Sequence, residues 1–155
     1  MGKVFIHLGA GAGDLDEGAN FRCGVTEFFK KSYELGDKII CLEANPTNIK
    51  KLKETYKNFK DVEVLNLGIS INKKEKIKFF YCDKDAPHFQ VCSIKEEHLK
   101  KHYPNEKIKN FSVNAITVND LLEKVKYDKV DYLSIDLEGI DFDVLMSINL
   151  QKNLI

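Results

Sequence analysis

Apolar positions along the chain fall into two alternating patterns. Four short runs read as strands: Val4-Phe5-Ile6-His7-Leu8, Lys38-Ile39-Ile40-Cys41-Leu42, Val62-Glu63-Val64-Leu65-Asn66 and Val130-Asp131-Tyr132-Leu133-Ser134-Ile135. Near-continuous apolar runs of this length suit parallel strands covered on both faces. Between them, apolar residues recur at helical spacing. Val25, Phe28, Phe29 and Leu35 share roughly one face of a helix that Gly36 closes. Asn45 caps a second helix with Pro46 at its first position, and Ile49, Leu52, Tyr56 and Phe59 follow. Thr117 with Asp120 resembles a capping box ahead of Leu121, Leu122 and Val125. After Gly139 a last helix places Phe142, Leu145 and Met146 at i, i+3 and i+4. Strand and helix alternate, which predicts an α/β fold with helices on both faces of a parallel sheet.

Residues 71–116 break this rhythm. Two added strands are expected, at Ile77–Tyr81 and Phe111–Ile116, with a helix over Ile94–Tyr103 between them. Residues 82–110 also hold three of the four histidines and two of the three prolines. No repeat, low-complexity stretch or linker divides the chain, so one domain over residues 1–155 is expected.

Three places carry candidate chemistry. Gly9, Gly11 and Gly13 alternate directly after the first strand, where missing side chains let a ligand approach the backbone. A tight turn with no ligand is the alternative. The dinucleotide fingerprint is not met, because Asp14 stands where its third glycine belongs, which lowers a nicotinamide reading. Glu43 ends the second strand, where an acid can accept hydrogen bonds from ribose hydroxyls. Asp136 and Glu138 follow the fourth strand, beside the crevice at the sheet's carboxyl edge, and Gly139 lets the chain turn into the next helix. The structural alternative is that Glu138 caps that helix by charge and Asp136 is a structural acceptor. His98 and His102 lie four apart on one helix, and without a carboxylate frame they read as a solvated face.

Charge and composition narrow the classes. In 155 residues, 24 Lys+Arg balance 24 Asp+Glu, so no whole-protein field draws the chain to nucleic acid or to an anionic membrane. Arg22 is the only arginine, leaving one candidate for a planar anion clamp. It falls in an insert, Asp14–Gly24, that could close over the crevice or pair Arg22 with Asp14, Asp16 or Glu17. No apolar stretch reaches membrane-spanning length, and the amino terminus has no signal-peptide pattern. Cys23, Cys41, Cys82 and Cys92 are far apart and fit reduced thiols in a cytoplasmic protein.

Five segments together resemble the FkbM-type S-adenosylmethionine-dependent methyltransferases. They are Ile6–Gly13, Leu42–Pro46, Asn66–Ile69, Val113–Leu122 and Val130–Asp141. The threonine-led helix followed by Asp136-Leu137-Glu138-Gly139 is the most specific of them. The resemblance implies a class I methyltransferase (Rossmann-like) fold and methyl transfer from S-adenosylmethionine, usually to an oxygen. By position it implies that His7, Gly9, Ala10, Gly11 and Gly13 line the methionine part of the cofactor and that Glu43 and Ala44 hold the ribose side. Asn66, Leu67 and Gly68 would border the adenine, Asp136 would lie near the reacting end, and Glu138 beside the acceptor. The family's first strand usually ends in an acid, where this chain has His7; Gly11 replaces an asparagine and Ser134 a lysine. Asp136, Glu138 and His88 are the candidate bases for an acceptor hydroxyl on a sugar, glycan or small metabolite. The family fold would add three strands beyond residue 155. The chain is therefore expected to be C-terminally truncated, with an apolar sheet edge that a second copy would cover. An inactive cofactor-binding remnant or regulatory subunit, and an NAD-dependent oxidoreductase, are the alternatives.

Overall fold

The computed structural model describes residues 2–15, 23–73, 75–86, 91–125 and 129–149. Its centre is a four-stranded parallel sheet. Strand β1 (Val4–Leu8) lies between β2 (Lys38–Leu42) and β7 (Tyr132–Ile135), and β3 (Val62–Leu65) flanks β2, giving the order β3-β2-β1-β7. All three pairings are parallel. β1 has a strand on each side and helices on both faces, which is why all five of its residues are buried.

Side chains on alternate strand positions build two separate cores. Phe5, Ile39 and Cys41 face one way, against Phe29 of helix α1 (Gly24–Ser32) and Leu52 of helix α2 (Pro46–Thr55). Val4, Ile6, Leu8, Ile40 and Leu42 face the other way, against Leu121 and Leu122 of helix α4 (Val118–Val125) and Val144 of helix α5 (Asp141–Ser147). The chain runs outward from β1 to β3 and then returns to the far side of β1 as β7. The direction of winding thus reverses between β1 and β7, and such a switch point opens a ligand crevice at the strands' carboxyl ends. This is the parallel α/β arrangement that the pattern of strands and helices predicts, in the Rossmann-like form that the family resemblance implies.

The caps form as the sequence implies. The Asn45 side chain accepts from the Thr47 amide at 3.0 Å, and Thr117 Oγ1 accepts from the Asp120 amide at 3.1 Å. The irregular middle is a second sheet. Strand β6 (Ile108–Ile116) pairs antiparallel with β5 (Lys76–Cys82) and parallel with the short β4 (Gly68–Ile69). Helix α3 (Glu96–His102) lies between β5 and β6 in sequence.

Two helical readings are corrected. α1 stops at Ser32, and Leu35 lies outside it, 80% exposed. The Asp37 carboxylate accepts from the Glu34 and Lys3 amides at 2.9 and 2.7 Å, and this forms a tight turn before β2. On α5 the stripe expected to be core faces outward, with Phe142 71% and Met146 68% exposed. Ile140, Val144 and Ile148 are buried instead. The Asp141 carboxylate sets this rotation by accepting from the Leu137 and Gly139 amides at 2.8 and 3.3 Å.

Candidate functional site

The crevice at the switch point holds a cavity of about 320 Å³. Its floor is the glycine loop. The Gly9 and Ala10 amides both donate to the Leu42 carbonyl at 3.0 Å, so the loop leaves β1 by crossing the end of β2. The three glycines serve different ends. Gly9 has φ +80°, and a Cβ there would lie 1.8 Å from the Asp136 carbonyl oxygen. Gly13 has φ +67°, and its Cβ would meet Thr55 Oγ1 at 2.7 Å. Both are therefore required by packing within the chain. Gly11 also has a left-handed φ, +57°, but its Cβ would meet no described residue within 4 Å. Its side opens into the cavity, and its amide donates to Glu43 Oε2 at 2.7 Å.

Glu43 is buried, and its other oxygen, Oε1, accepts from the Asn45 amide at 2.6 Å. These two bonds fix the carboxylate beside the glycine loop, at the wall of the cavity. Across the cavity, Asp136 and Glu138 leave the end of β7. Glu138 has φ +48°, a left-handed conformation that is strained for a residue with a side chain. Its carboxyl titrates above the usual range, chiefly through burial and then through the negative charge of Asp136; His98 acts in the opposite direction. Asp136 is raised as well, by partial desolvation and then by Asp141.

His7 lies on the cavity wall, 1% exposed, with Nδ1 lacking a hydrogen-bond partner among the described residues. Burial pushes its pKa down to about 4, so the imidazole is uncharged at neutral pH. Asn48, on the inner face of α2, is also buried and lines the same wall, and its Oδ1 has no partner among the described residues. Two unpaired buried polar atoms beside one cavity carry a desolvation cost that a ligand donor would remove.

The model of the methyltransferase FkbM domain matches residues 16–155. The chain belongs to the FkbM methyltransferase family. No curated protein and no solved structure matches it. The matched span includes Glu43 and the 136–139 segment, and the glycine loop precedes it.

Most residues that the sequence nominated in this FkbM domain come together. His7, Gly9, Ala10, Gly11, Gly13, Glu43, Ala44, Leu67, Gly68, Asp136 and Glu138 all line the cavity. Asn66 does not. Its Nδ2 donates to the Glu43 and Ala44 carbonyls at 2.9 Å each, and so ties the end of β3 to the end of β2. His88, Arg22, Asp16 and Glu17 lie outside the described residues. Asp14, offered as a partner for Arg22, pairs with Lys30 of α1 at 2.5 Å. The reading of His98 as part of a solvated face is corrected, since its Nε2 lies 3.1 Å from Glu138 Oε2.

Sequence reasoning missed Asn48, Phe79 and Cys92, which also line the cavity. Asn48 had a readable signal, because it precedes Leu52 and Tyr56 by four and eight positions on the inward face of α2. Phe79 and Cys92 had none, since they belong to the added sheet and its connection. Burial pushes the Cys92 thiol up, and Glu43, Asp85 and Glu138 reinforce this, so it stands as a neutral thiol in the wall.

Among the described residues no helix is long and apolar enough to cross a membrane.

Proposed function

We propose that this FkbM domain binds S-adenosylmethionine and directs its methyl group to an uncharged hydroxyl on a sugar or small metabolite. The observation that carries the reading is Gly11. It adopts a left-handed conformation with open space at its Cβ position, and its amide is tied to a buried carboxylate. Among the described residues nothing requires that space, and a ligand lying along the loop accounts for it.

The residues present fit a cationic nucleoside. The Glu43 carboxylate lines the cavity at the end of β2, where an acid can accept hydrogen bonds from ribose hydroxyls. His7 Nδ1 and Asn48 Oδ1 are buried atoms without partners among the described residues, suited to meet a ligand's donors. An uncharged His7 adds no repulsion toward a positive ligand, and the described cavity lining holds Glu43, Asp136 and Glu138 but no lysine or arginine. The same set of charges disfavours a phosphorylated or carboxylated acceptor. Bound in this cavity, S-adenosylmethionine supplies an activated methyl group on a sulfonium, whose sulfur leaves as a neutral thioether. What remains for the protein is alignment, exclusion of water and removal of the acceptor's hydroxyl proton. Glu138 and Asp136 stand at the cavity with raised proton affinity, and either carboxylate can take that proton.

The test is transfer of a tritiated methyl group from S-adenosylmethionine to a panel of neutral glycosides and polyols, with their phosphorylated counterparts alongside. Label on neutral acceptors alone is the expected result. Intact cofactor binding with no label on any acceptor would favour a cofactor-binding remnant instead.

A further inference from the structure

The segment following Cys92 grips the Glu138-Gly139 turn at three points. Ser93 Oγ donates to the Glu138 carbonyl at 2.6 Å, and Lys95 Nζ donates to the Gly139 carbonyl at 2.7 Å. His98, on α3, brings Nε2 to 3.1 Å from Glu138 Oε2. Gly139 makes room for this ring, since a Cβ there would sit 3.4 Å from His98 Nδ1. Ser93 is itself fixed, because its amide and carbonyl both hydrogen-bond to Phe80 of β5. The added sheet thus reaches across to brace the acidic turn after β7.

We propose that His98 is a positioning residue for the acceptor's base: a His98–Glu138 pair holds one carboxylate oxygen so that the other is presented to the acceptor hydroxyl. The inference rests on the methyl-transfer reading above and deepens it. The contact joins a strained carboxylate of the cavity to a half-buried imidazole from helix α3. Both backbone carbonyls of the turn are engaged by the same segment, so the arrangement is braced along its whole length. In the reaction the hydroxyl O–H bond breaks and its proton passes to Glu138. The electron pair stays on the oxygen, which forms the bond to the methyl carbon as the carbon–sulfur bond breaks. Throughout, Nε2–H of His98 continues to donate to Oε2.

The charged and titratable groups around Glu138 are Asp136 and Asp141 from its own segment, His98 and Lys95 from the bracing segment, and the Cys92 thiol in the wall. Burial and the two aspartates raise the proton affinity of Glu138, and His98 lowers it. The imidazole therefore favours the charged carboxylate, while burial and the two aspartates favour its protonated form.

The test needs no acceptor. Carbon-13 labelling of glutamate carboxyls in the full chain, with Glu138→Gln to assign the signal, gives the Glu138 titration midpoint. In His98→Ala the midpoint should rise by about half a unit or more, the size of a lost favourable partner at a half-exposed site. In His98→Gln, which restores a donor, it should fall between wild type and His98→Ala. A smaller rise in His98→Ala overturns the proposal. If that variant does not fold, the His98 Nε2 proton is read in wild type instead. A slowly exchanging Nε2–H that disappears in Glu138→Gln supports the pair, and one unchanged by that substitution refutes it. Calorimetric titration of wild type with S-adenosylmethionine separates the two readings. Absence of binding would defeat the methyl-transfer reading while leaving the pairing measured in its own right.

Discussion

Gly9 and Gly11 are two positions apart in one loop, both left-handed, yet replacing each with alanine should fail in different ways. At Gly11 the only penalty against the described residues is the backbone conformation. A left-handed alanine costs about 1–2 kcal/mol, because the new Cβ meets nothing within 4 Å. At about 2–4 °C per kcal/mol for a chain of this size, Gly11→Ala should lower Tm by only a few degrees. At Gly9 the same penalty is joined by a Cβ 1.8 Å from the Asp136 carbonyl oxygen, where real contacts exceed 3.0 Å. The loop and the end of β7 must separate by about 1 Å, in a region where β1 and β7 are held in register. That disruption should cost roughly 3 kcal/mol or more. Binding should rank the other way for its size, since Gly11→Ala places a methyl group in the space assigned to the ligand. The assay pairs thermal unfolding followed by circular dichroism with calorimetric titration by S-adenosylmethionine. Gly11→Ala is expected to remain folded while its affinity falls at least about tenfold, a loss of ~1.4 kcal/mol. Wild-type affinity in Gly11→Ala would refute the argument, because the open space would then not be where the ligand lies.

Other predictions follow from the same geometry. His7 is uncharged in the fold down to about pH 4, whereas in the unfolded chain it titrates near its ordinary value of 6.5. The unfolded state therefore takes up the proton first, and stability should fall as pH drops from about 6.5 to 4, by roughly 3 kcal/mol from this group. Urea melts of His7→Leu should lack this part of the slope, and an unchanged slope would exclude His7 as its source. Leu121→Ala should cost about 2–5 kcal/mol by opening a void in the core beneath α4, while Phe142→Ser on α5 should change stability by less than about 0.5 kcal/mol. Equal losses in urea unfolding would mean that α5 is rotated from the position described. Ser93→Ala removes the 2.6 Å bond to the Glu138 carbonyl from a fully buried site and should cost about 1–3 kcal/mol. No loss in the same melts would show that this brace does not hold the acidic turn.

The parts of the fold legible in the sequence are those whose burial is decided locally. β1 and β2 read as strands because, apart from Lys38 at the start of β2, every position is apolar or tolerates burial. Asn45-Pro46 and Thr117 read as helix starts because one side chain supplies the cap. α5 defeated this logic, because it carries two apolar stripes and only the Asp141 contacts select which one turns inward. The site was legible to the same degree. Gly9, Gly11, Glu43, Asp136 and Glu138 all sit at strand ends, where position alone brings them together. The role of Asn66 was misread because its amide ties two strand ends instead of facing the cavity. His98 reaches Glu138 across 40 residues of sequence through the added sheet, and nothing in its neighbours along the chain encodes that approach.

The central claim is that the cavity between β1 and β7 holds S-adenosylmethionine. Its most direct test is calorimetric titration of the wild-type chain with S-adenosylmethionine and with its demethylated product, with NAD as the control ligand and Glu43→Gln as the control variant. The account predicts saturable one-to-one binding of both sulfur ligands, at least about tenfold weaker in Glu43→Gln, with no heat from NAD. Absence of binding by folded, monodisperse protein, or binding of NAD in their place, would contradict it.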